Sequence, residues 1–181
     1  YQEFTSLSRA FARHGFSHPP LIMQSTGGVV WAEEAATKAV YALASGPVGG
    51  VMGAAALGKL LGYDNLIATD MGGTSFDVGL VLHGEVPLAR NPIYDRYRVL
   101  IPAVDVVSIG AGGGSIAWID PMTKTLNVGP HSAGSQPGPV CYDGGGTEPT
   151  VTDADVVLGR ISPDNFFGGR KRLNKHKAER A

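Results

Sequence analysis

The octapeptide DMGGTSFD, residues 70–77, combines the groups that hold a phosphate and its counter-ion. The paired glycines Gly72 and Gly73 allow positive φ angles, which turn successive backbone N–H groups outward into an anion-binding nest. Thr74 and Ser75 add hydroxyl donors beside those N–H groups. These residue types in this order predict a phosphate-binding turn.

Two aspartates flank the turn. Asp70 follows the apolar run Leu66–Ala68, so it is predicted to lie at the end of a buried strand, where a carboxylate needs a partner. A hydrated Mg²⁺ next to phosphate is such a partner. Asp77 follows Phe76 on the returning strand and is predicted to brace the hairpin. The octapeptide therefore predicts a triphosphate site with an acid for the metal.

A plain tight hairpin is the alternative, since Gly-Gly is also favoured in two-residue turns. Such a turn needs neither a buried aspartate nor two hydroxyl residues. The P-loop pattern of a glycine-rich loop ending in Gly-Lys-Ser/Thr is absent. No helix directly follows the glycines, which also excludes the dinucleotide-binding fingerprint.

Elements around the turn predict an α/β fold. Apolar periodicity predicts helices over residues 4–14, 31–47 and 48–61, with Gly15 and Gly62 as their stops and Ser45–Pro47 ending the second. Residues 21–24 are predicted as a short buried strand, and residues 65–83 as the phosphate hairpin. A second glycine-rich joint, Gly110–Ser115, is flanked by apolar arms, with a strand returning near residue 126. A last helix is predicted near residue 151, with Thr152 or Asp153 as its N-cap.

Composition limits the function classes. The chain has 181 residues, of which 43% are hydrophobic, so it is globular rather than disordered. It lacks an 18-residue apolar run and an N-terminal signal sequence, so we expect no membrane span. The single cysteine, Cys141, excludes an internal disulfide and fits a cytoplasmic location. The last twelve residues carry six Lys and Arg, which we interpret as the start of a solvated helix rather than a nucleic-acid site.

Six motifs in a fixed order resemble the hydantoinase A/oxoprolinase family. They are MQSTGG, SGPVGGVMGA, DMGGTSFDV, GAGGGSIAWID, GPHSAGSQPGPVCY and GGTEPTVTDADVVLGR, and together they span residues 23–160. DMGGTSFDVGLV also resembles the second phosphate motif of the superfamily of actin, sugar kinases and heat-shock chaperone ATPases. The resemblance implies an actin-like ATPase fold of the ribonuclease-H type, a mixed sheet with flanking helices.

What the resemblance implies for function is an ATP- and Mg²⁺-dependent enzyme. Members of the family phosphorylate a carbonyl, amide or enol oxygen, and then open a cyclic amide such as a hydantoin or oxoproline, or carboxylate a ketone. They work on small-molecule substrates and with a hydantoinase B-type subunit. A non-catalytic nucleotide-binding or regulatory module of the same fold is the alternative.

The resemblance also implies roles for individual residues. Asp70 would face the Mg²⁺-bound phosphates through water and would be catalytic. Gly72, Gly73, Thr74 and Ser75 would hold phosphate oxygens, and Asp77 would support them. The glycines of the second joint, Gly112, Gly113 and Gly114, would form a second nucleotide or substrate loop.

The chain departs from the family pattern in three places. It has one phosphate hairpin, whereas the superfamily also uses an N-terminal strand–turn–strand of the D-x-G-G-T type. We therefore expect residues 1–169 to be part of an ATPase domain and residues 170–181 to begin a further helix. Such a piece should not hydrolyse ATP without the remainder of its subunit. His131 stands where many members have Glu, and Val107 where they have His.

Other residues offer weaker candidates. Five side chains could gather around a second metal, although capping is the commoner role near a helix start: Asp105, Asp120, His131, Asp153 and Asp155. Cys141 could be a nucleophile, but a buried small side chain is favoured because no histidine lies beside it in sequence. The remaining histidines are predicted to be solvated, and Trp31 and Trp118 to serve packing.

Overall fold

The computed structural model describes residues 2–94 and 96–181, which divide into two compact units. Unit 1 consists of the residues up to Asp70 together with Asp77–Val107. Unit 2 consists of Met71–Phe76 and Ser108–Ala181. Helices and strands occur in both units, which confirms the α/β class. In the described part of the chain, no helix combines the length and the apolar character needed to cross a bilayer.

Unit 1 is built on a long helix and small sheets. The elements over residues 2–109, most of them in unit 1, are in chain order α1 Gln2–Arg13, β1 Leu21–Met23, β2 Val29–Trp31, α2 Ala32–Thr37, a 3₁₀ helix Ala39–Ala42, α3 Ser45–Leu61, β3 Leu66–Met71, β4 Phe76–Val81, β5 Leu88–Ala89, β6 Ile93–Tyr94, β7 Tyr97–Arg98, β8 Ala103–Val104 and β9 Val106–Ile109. Strands β3, β4 and β9 form one sheet in that order. Three antiparallel pairs, β1–β2, β5–β8 and β6–β7, complete the strand pairing.

Helix α3 forms the core of unit 1 against the strands. Val48 and Val51 of α3 are buried with Val81 of β4 and Val104 of β8. The contact is close, because a Cβ placed on Gly79 of β4 would lie 2.2 Å from the Val51 side chain. Gly62 ends the helix in the left-handed conformation, with φ of 77°, as predicted.

The predicted helix over residues 31–47 is confirmed for Ala32–Thr37 but is wrong in its continuity and in its end. The chain breaks at Lys38, with φ of −133°, between α2 and the 3₁₀ helix. The carbonyl of Tyr41 accepts a hydrogen bond from the Ser25 N–H at 2.6 Å, a long-range bond that no local pattern reveals. Ser45–Pro47 begins α3 instead of ending the earlier helix. Proline fits there because the first turn of a helix does not use its N–H groups.

Unit 2 contains the glycine-rich segments and a smaller helical layer. Its elements are β10 Ser115–Ile119, β11 Leu126–Ser132, a 3₁₀ helix Val140–Tyr142, α4 Val151–Val157 and α5 Lys175–Arg180. Strands β10 and β11 pair antiparallel, with Trp118 opposite Asn127, so the predicted returning strand is confirmed. The indole N–H of Trp118 donates to the carbonyl of Gly129 at 2.8 Å. Cys141, Val156, Leu173 and Ala178 form the buried core of this unit.

The N-terminus of α4 is capped differently from the prediction. Thr150, not Thr152 or Asp153, is the N-cap, and Asp153 is the acidic partner of a capping box. The buried Asp153 carboxylate accepts hydrogen bonds from the N–H groups of Val140, Cys141 and Thr150 and from the Thr150 hydroxyl. These four donors compensate the cost of burying the charge. One carboxylate thus ties α4 to the preceding 3₁₀ helix.

Candidate functional site

The connection between β3 and β4 is the four-residue segment Gly72–Ser75, called here the phosphate turn. It closes with one hydrogen bond, from the Gly72 N–H to the Ser75 carbonyl at 2.9 Å. Among the described residues, the N–H groups of Gly73, Thr74 and Ser75 have no hydrogen-bond acceptor. The hydroxyls of Thr74 and Ser75 likewise lack a partner there. Five donors on three residues, Gly73, Thr74 and Ser75, are therefore available to an anion.

The turn reaches this arrangement without the predicted positive φ angles, because neither Gly72 nor Gly73 is in the left-handed region. A Cβ placed on Gly73 would meet no atom within 4 Å. Glycine at this position therefore leaves space beside the free N–H groups. The sequence predicts that glycine is needed here for a positive φ angle, whereas in the structure it leaves open space beside the turn.

The second glycine-rich segment, Gly110–Ser115, called here the support loop, lies directly against the phosphate turn. The N–H groups of Gly113 and Gly114 donate to the carbonyls of Gly72 and Gly73 at 2.9 and 2.8 Å. The N–H of Gly112 donates to the buried Ser115 hydroxyl at 2.9 Å. The role of Gly112, Gly113 and Gly114 in nucleotide binding stays a prediction, and in the structure their N–H groups are used within the protein.

Backbone contact explains why the support loop needs glycine. A Cβ on Gly112 would lie 2.6 Å from the Thr74 nitrogen and 2.7 Å from the Gly72 oxygen. A Cβ on Gly114 would lie 2.9 Å from the Gly73 oxygen. Real side chains do not approach backbone atoms this closely. The support loop thus fixes the phosphate turn by main-chain contact.

Asp70 and Asp77 belong to unit 1, where both line a cavity of about 330 Å³ beside α3. The predicted burial around Asp70 is wrong: Ile67 of the same strand is 71% exposed and Asp70 itself is exposed. Neither carboxylate has a hydrogen bond or ion pair with the residues that the structure describes. Two unpaired carboxylates supply the hard oxygen ligands that Mg²⁺ prefers, so the residues fit this ion.

Unit 2 contains a larger cavity of about 690 Å³ that sequence patterns did not indicate. Backbone of Gly72, Gly73, Gly113 and Gly114 lines one part of it, and the side chains of Tyr142, Phe166, Phe167, Asp155 and Lys171 line another. At least 67 residues of sequence, from Ser75 to Tyr142, separate the phosphate turn from these side chains, far beyond the reach of about four residues of a local helical pattern. No sequence signal could have grouped them.

The predicted second metal finds no support in the geometry. No group of three or more metal-binding side chains occurs in residues 2–94 and 96–181. Asp153 caps α4, as described above. Asp120 accepts the N–H groups of Met122 and Thr123, which lowers the pKa of its carboxyl. Asp155 pairs with Arg160 at 3.4 Å.

Cys141 is fully buried, in agreement with the favoured packing interpretation. Burial, reinforced by the neighbouring Asp153 carboxylate, raises the pKa of its thiol to about 12. A thiol with such a pKa stays protonated at neutral pH and is a poor nucleophile.

A model of the hydantoinase/oxoprolinase family matches residues 2–181, nearly the whole chain. The chain belongs to this family. Its sequence is 51% identical to the acetophenone carboxylase gamma subunit of Aromatoleum aromaticum over 171 residues, which cover 92% of the chain and 23% of that subunit. It is 42% identical to the caprolactamase subunit alpha of Pseudomonas jessenii, over 93% of the chain and 24% of that subunit.

The fold is shared as well. A solved nucleotide-free structure of acetone carboxylase, described as acting in ATP-dependent acetone carboxylation, superposes with a TM-score of 0.83 at 38% sequence identity. The match covers 98% of the chain and 25% of that structure. The chain therefore spans about a quarter of the length of the relatives that it matches.

Proposed function

We propose that the chain is part of an ATP-dependent enzyme that activates an oxygen of its substrate by phosphorylation. The observation that supports this most directly is the phosphate turn, with three free N–H groups and two free hydroxyls. Donors held in place before the ligand arrives stabilise the charge of a transferring phosphoryl group without reorganisation. The similarity to relatives described as ATP-dependent supports the same function.

The reaction transfers the γ-phosphoryl group of ATP to a carbonyl, amide or enol oxygen. The bond between the γ-phosphorus and the bridging oxygen breaks, a bond to the substrate oxygen forms, and ADP leaves. In a hydantoin- or oxoproline-like cyclic amide, water then adds to the activated carbon and the ring C–N bond breaks, which leaves an acyl phosphate. A second water hydrolyses the acyl phosphate to the carboxylate and phosphate. A ketone first loses an α-proton to form the enol whose oxygen is phosphorylated. The enol carbon then bonds to the carbon of bicarbonate, while the bicarbonate hydroxyl passes to phosphorus and the enol O–P bond breaks. Phosphate is released in both cases.

Each residue has a part in this proposal. Gly73, Thr74 and Ser75 hold phosphate oxygens, while Gly72 closes the turn. Asp70 and Asp77 would hold Mg²⁺, directly or through water, and the bound ion would neutralise charge on the phosphates. A hydantoinase B-type subunit and the remainder of its own subunit would supply the other half of the site. A cytoplasmic location belongs to the same proposal.

Replacing Asp70 tests the proposal. Asp70→Asn keeps the size of the side chain but removes the charge, so we expect ADP release to fall about 100-fold or more with the melting temperature changed by only a few degrees. Asp77→Asn should have a smaller effect. The measurement is steady-state ADP release by the full-length protein with its partner subunit, supplied with hydantoins, oxoproline, or ketones with bicarbonate.

Asp64→Asn is the matched control. It removes the same charge, but Asp64 precedes the first residue of β3, whereas Asp70 lies near the last. We expect it to turn over ATP normally. Wild-type rates for a folded Asp70→Asn protein would remove the hairpin from the active site and favour a plain tight turn. ATP binding with no turnover of any of these substrates would favour a regulatory module instead.

A further inference from the structure

The cavity of unit 2 has an aromatic side that carries one lysine. Phe166, Phe167 and Tyr142 form a continuous cluster, with ring centroids 4.5 Å apart for Phe166 and Phe167 and 5.5 Å apart for Phe166 and Tyr142. The Lys171 ammonium lies 4.1 Å from the centroid of the Tyr142 ring. An apolar body and a cationic group therefore line the same space as the phosphate turn.

Backbone geometry holds Lys171 in this position. Residues 166–171 form a tight turn in which the N–H groups of Gly169 and Lys171 both donate to the Phe166 carbonyl, at 3.1 and 3.3 Å. An antiparallel bridge pairs Phe166 with Lys171. Two residues later, Leu173 is buried in the core of the unit and its N–H donates to the Pro163 carbonyl. The lysine is thus anchored on both sides rather than carried on a free tail.

The charge of Lys171 is not neutralised by a neighbour. Asp155 lines the same cavity, but its carboxylate pairs with Arg160. Asp143 pairs with Lys177, and Asp153 is saturated by backbone and hydroxyl donors. Within the part of the chain that the structure describes, Lys171 has no carboxylate partner. Its contact with the Tyr142 face leaves the ammonium donors free for a ligand.

We propose that Lys171 binds an anionic group of the ligand that fills this cavity, and that Phe166 and Phe167 pack against the apolar body of that ligand. The volume, about 690 Å³, is in the range of small-molecule sites. A nucleotide phosphate and a substrate carboxylate share the required chemistry. The inference rests on the proposed function, because the phosphate turn lines the same cavity, and it adds a residue that selects for anionic ligands.

Calorimetric binding to the full-length protein tests this inference with three probes. ATP and oxoproline are the anionic probes, and pyrrolidinone has the lactam ring of oxoproline without the carboxylate. Lys171→Met removes the charge but keeps an unbranched side chain. Lys171→Arg keeps the charge. Arg172→Met is the matched control, since Arg172 is the adjacent residue, pairs with Asp164 at 3.5 Å, and does not line the cavity.

We expect Lys171→Met to weaken at least one anionic probe about 10-fold or more, the usual effect of losing a charged hydrogen bond. Pyrrolidinone binding should stay unchanged, Lys171→Arg should restore most of the affinity, and Arg172→Met should bind all probes as the wild type does. Weaker binding of ATP alone identifies a phosphate as the partner of Lys171, and weaker binding of oxoproline alone identifies a carboxylate.

Three results would overturn the inference: equal affinity of wild type and Lys171→Met for both anionic probes, an equal loss for pyrrolidinone, or no binding of either anionic probe to the wild type. The proposed function fails separately. It is contradicted by ADP release that does not depend on Asp70, a kinetic result that leaves the binding comparison at Lys171 unaffected.

Discussion

The phosphate turn and the support loop have almost the same composition but opposite uses of their backbone. In the phosphate turn, three of four N–H groups have no acceptor among the described residues. In the support loop, the N–H groups of Gly112, Gly113 and Gly114 all donate within the protein. The first segment has donors for a ligand, while the second uses its donors to fix the first. In the proposed function, unused donors rather than glycine content would distinguish the binding segment from the supporting one.

The difference between the two segments predicts its largest effect at Gly112 of the support loop. Gly112→Ala would place a methyl group 2.6 Å from the Thr74 nitrogen and 2.7 Å from the Gly72 oxygen, both backbone atoms that cannot rotate away. We expect a loss of roughly 3 kcal/mol or more in local stability, as for other overpacked sites. Hydrogen exchange of the full-length protein, followed over residues 108–132, measures the loss. Native protection in this segment would show that the two backbones tolerate separation.

Gly73→Ala is the same chemical change on the other segment and should behave differently. Its methyl group meets no atom within 4 Å and the backbone needs no positive φ, so hydrogen exchange should stay native. The methyl group enters the space beside the free N–H groups, so we expect ATP affinity to fall about 10-fold. Calorimetry with ATP measures this. Wild-type affinity would place the phosphates away from Gly73.

Sequence patterns predicted the parts of the fold that depend on local chemistry. Helix α3, its stop at Gly62 and the antiparallel return of β11 follow from periodicity and from the conformational freedom of one glycine. The break at Lys38 was not predicted, because a hydrogen bond between Ser25 and Tyr41 competes with the local helical preference. Propensity is a weak prior where tertiary contacts decide.

The candidate site was predicted in the same uneven way. Local residue types identified the donors of Thr74 and Ser75. They could not distinguish the open space at Gly73 from the close contact at Gly112, since both are glycines in similar strings. The basic composition of residues 170–181 predicts a solvated helix and does not indicate the place of Lys171, because only folding brings Tyr142 and Phe166 next to it.

The smallest expected effects come from a matched pair of Thr→Val changes. The Thr152 hydroxyl is buried and donates to the Gly113 carbonyl of the support loop at 2.7 Å, while the Thr152 N–H donates to the same carbonyl at 2.8 Å. Thr152→Val removes only the first bond and keeps the shape of the side chain. We therefore expect local stability to fall by about 1 kcal/mol, with ATP affinity changed less than twofold.

Thr74→Val should give the reverse result. The Thr74 hydroxyl has no partner in the described structure and its side chain is exposed, so nothing is lost on folding. If the hydroxyl holds a phosphate oxygen, its removal should weaken ATP binding about 5- to 10-fold, the value of one hydrogen bond to a charged group. Hydrogen exchange and ATP calorimetry on both variants complete the comparison. A stability loss in Thr74→Val, or an affinity loss of the same size in Thr152→Val, would mean that the two segments bind the ligand together, and the division into a binding turn and a supporting loop would be wrong.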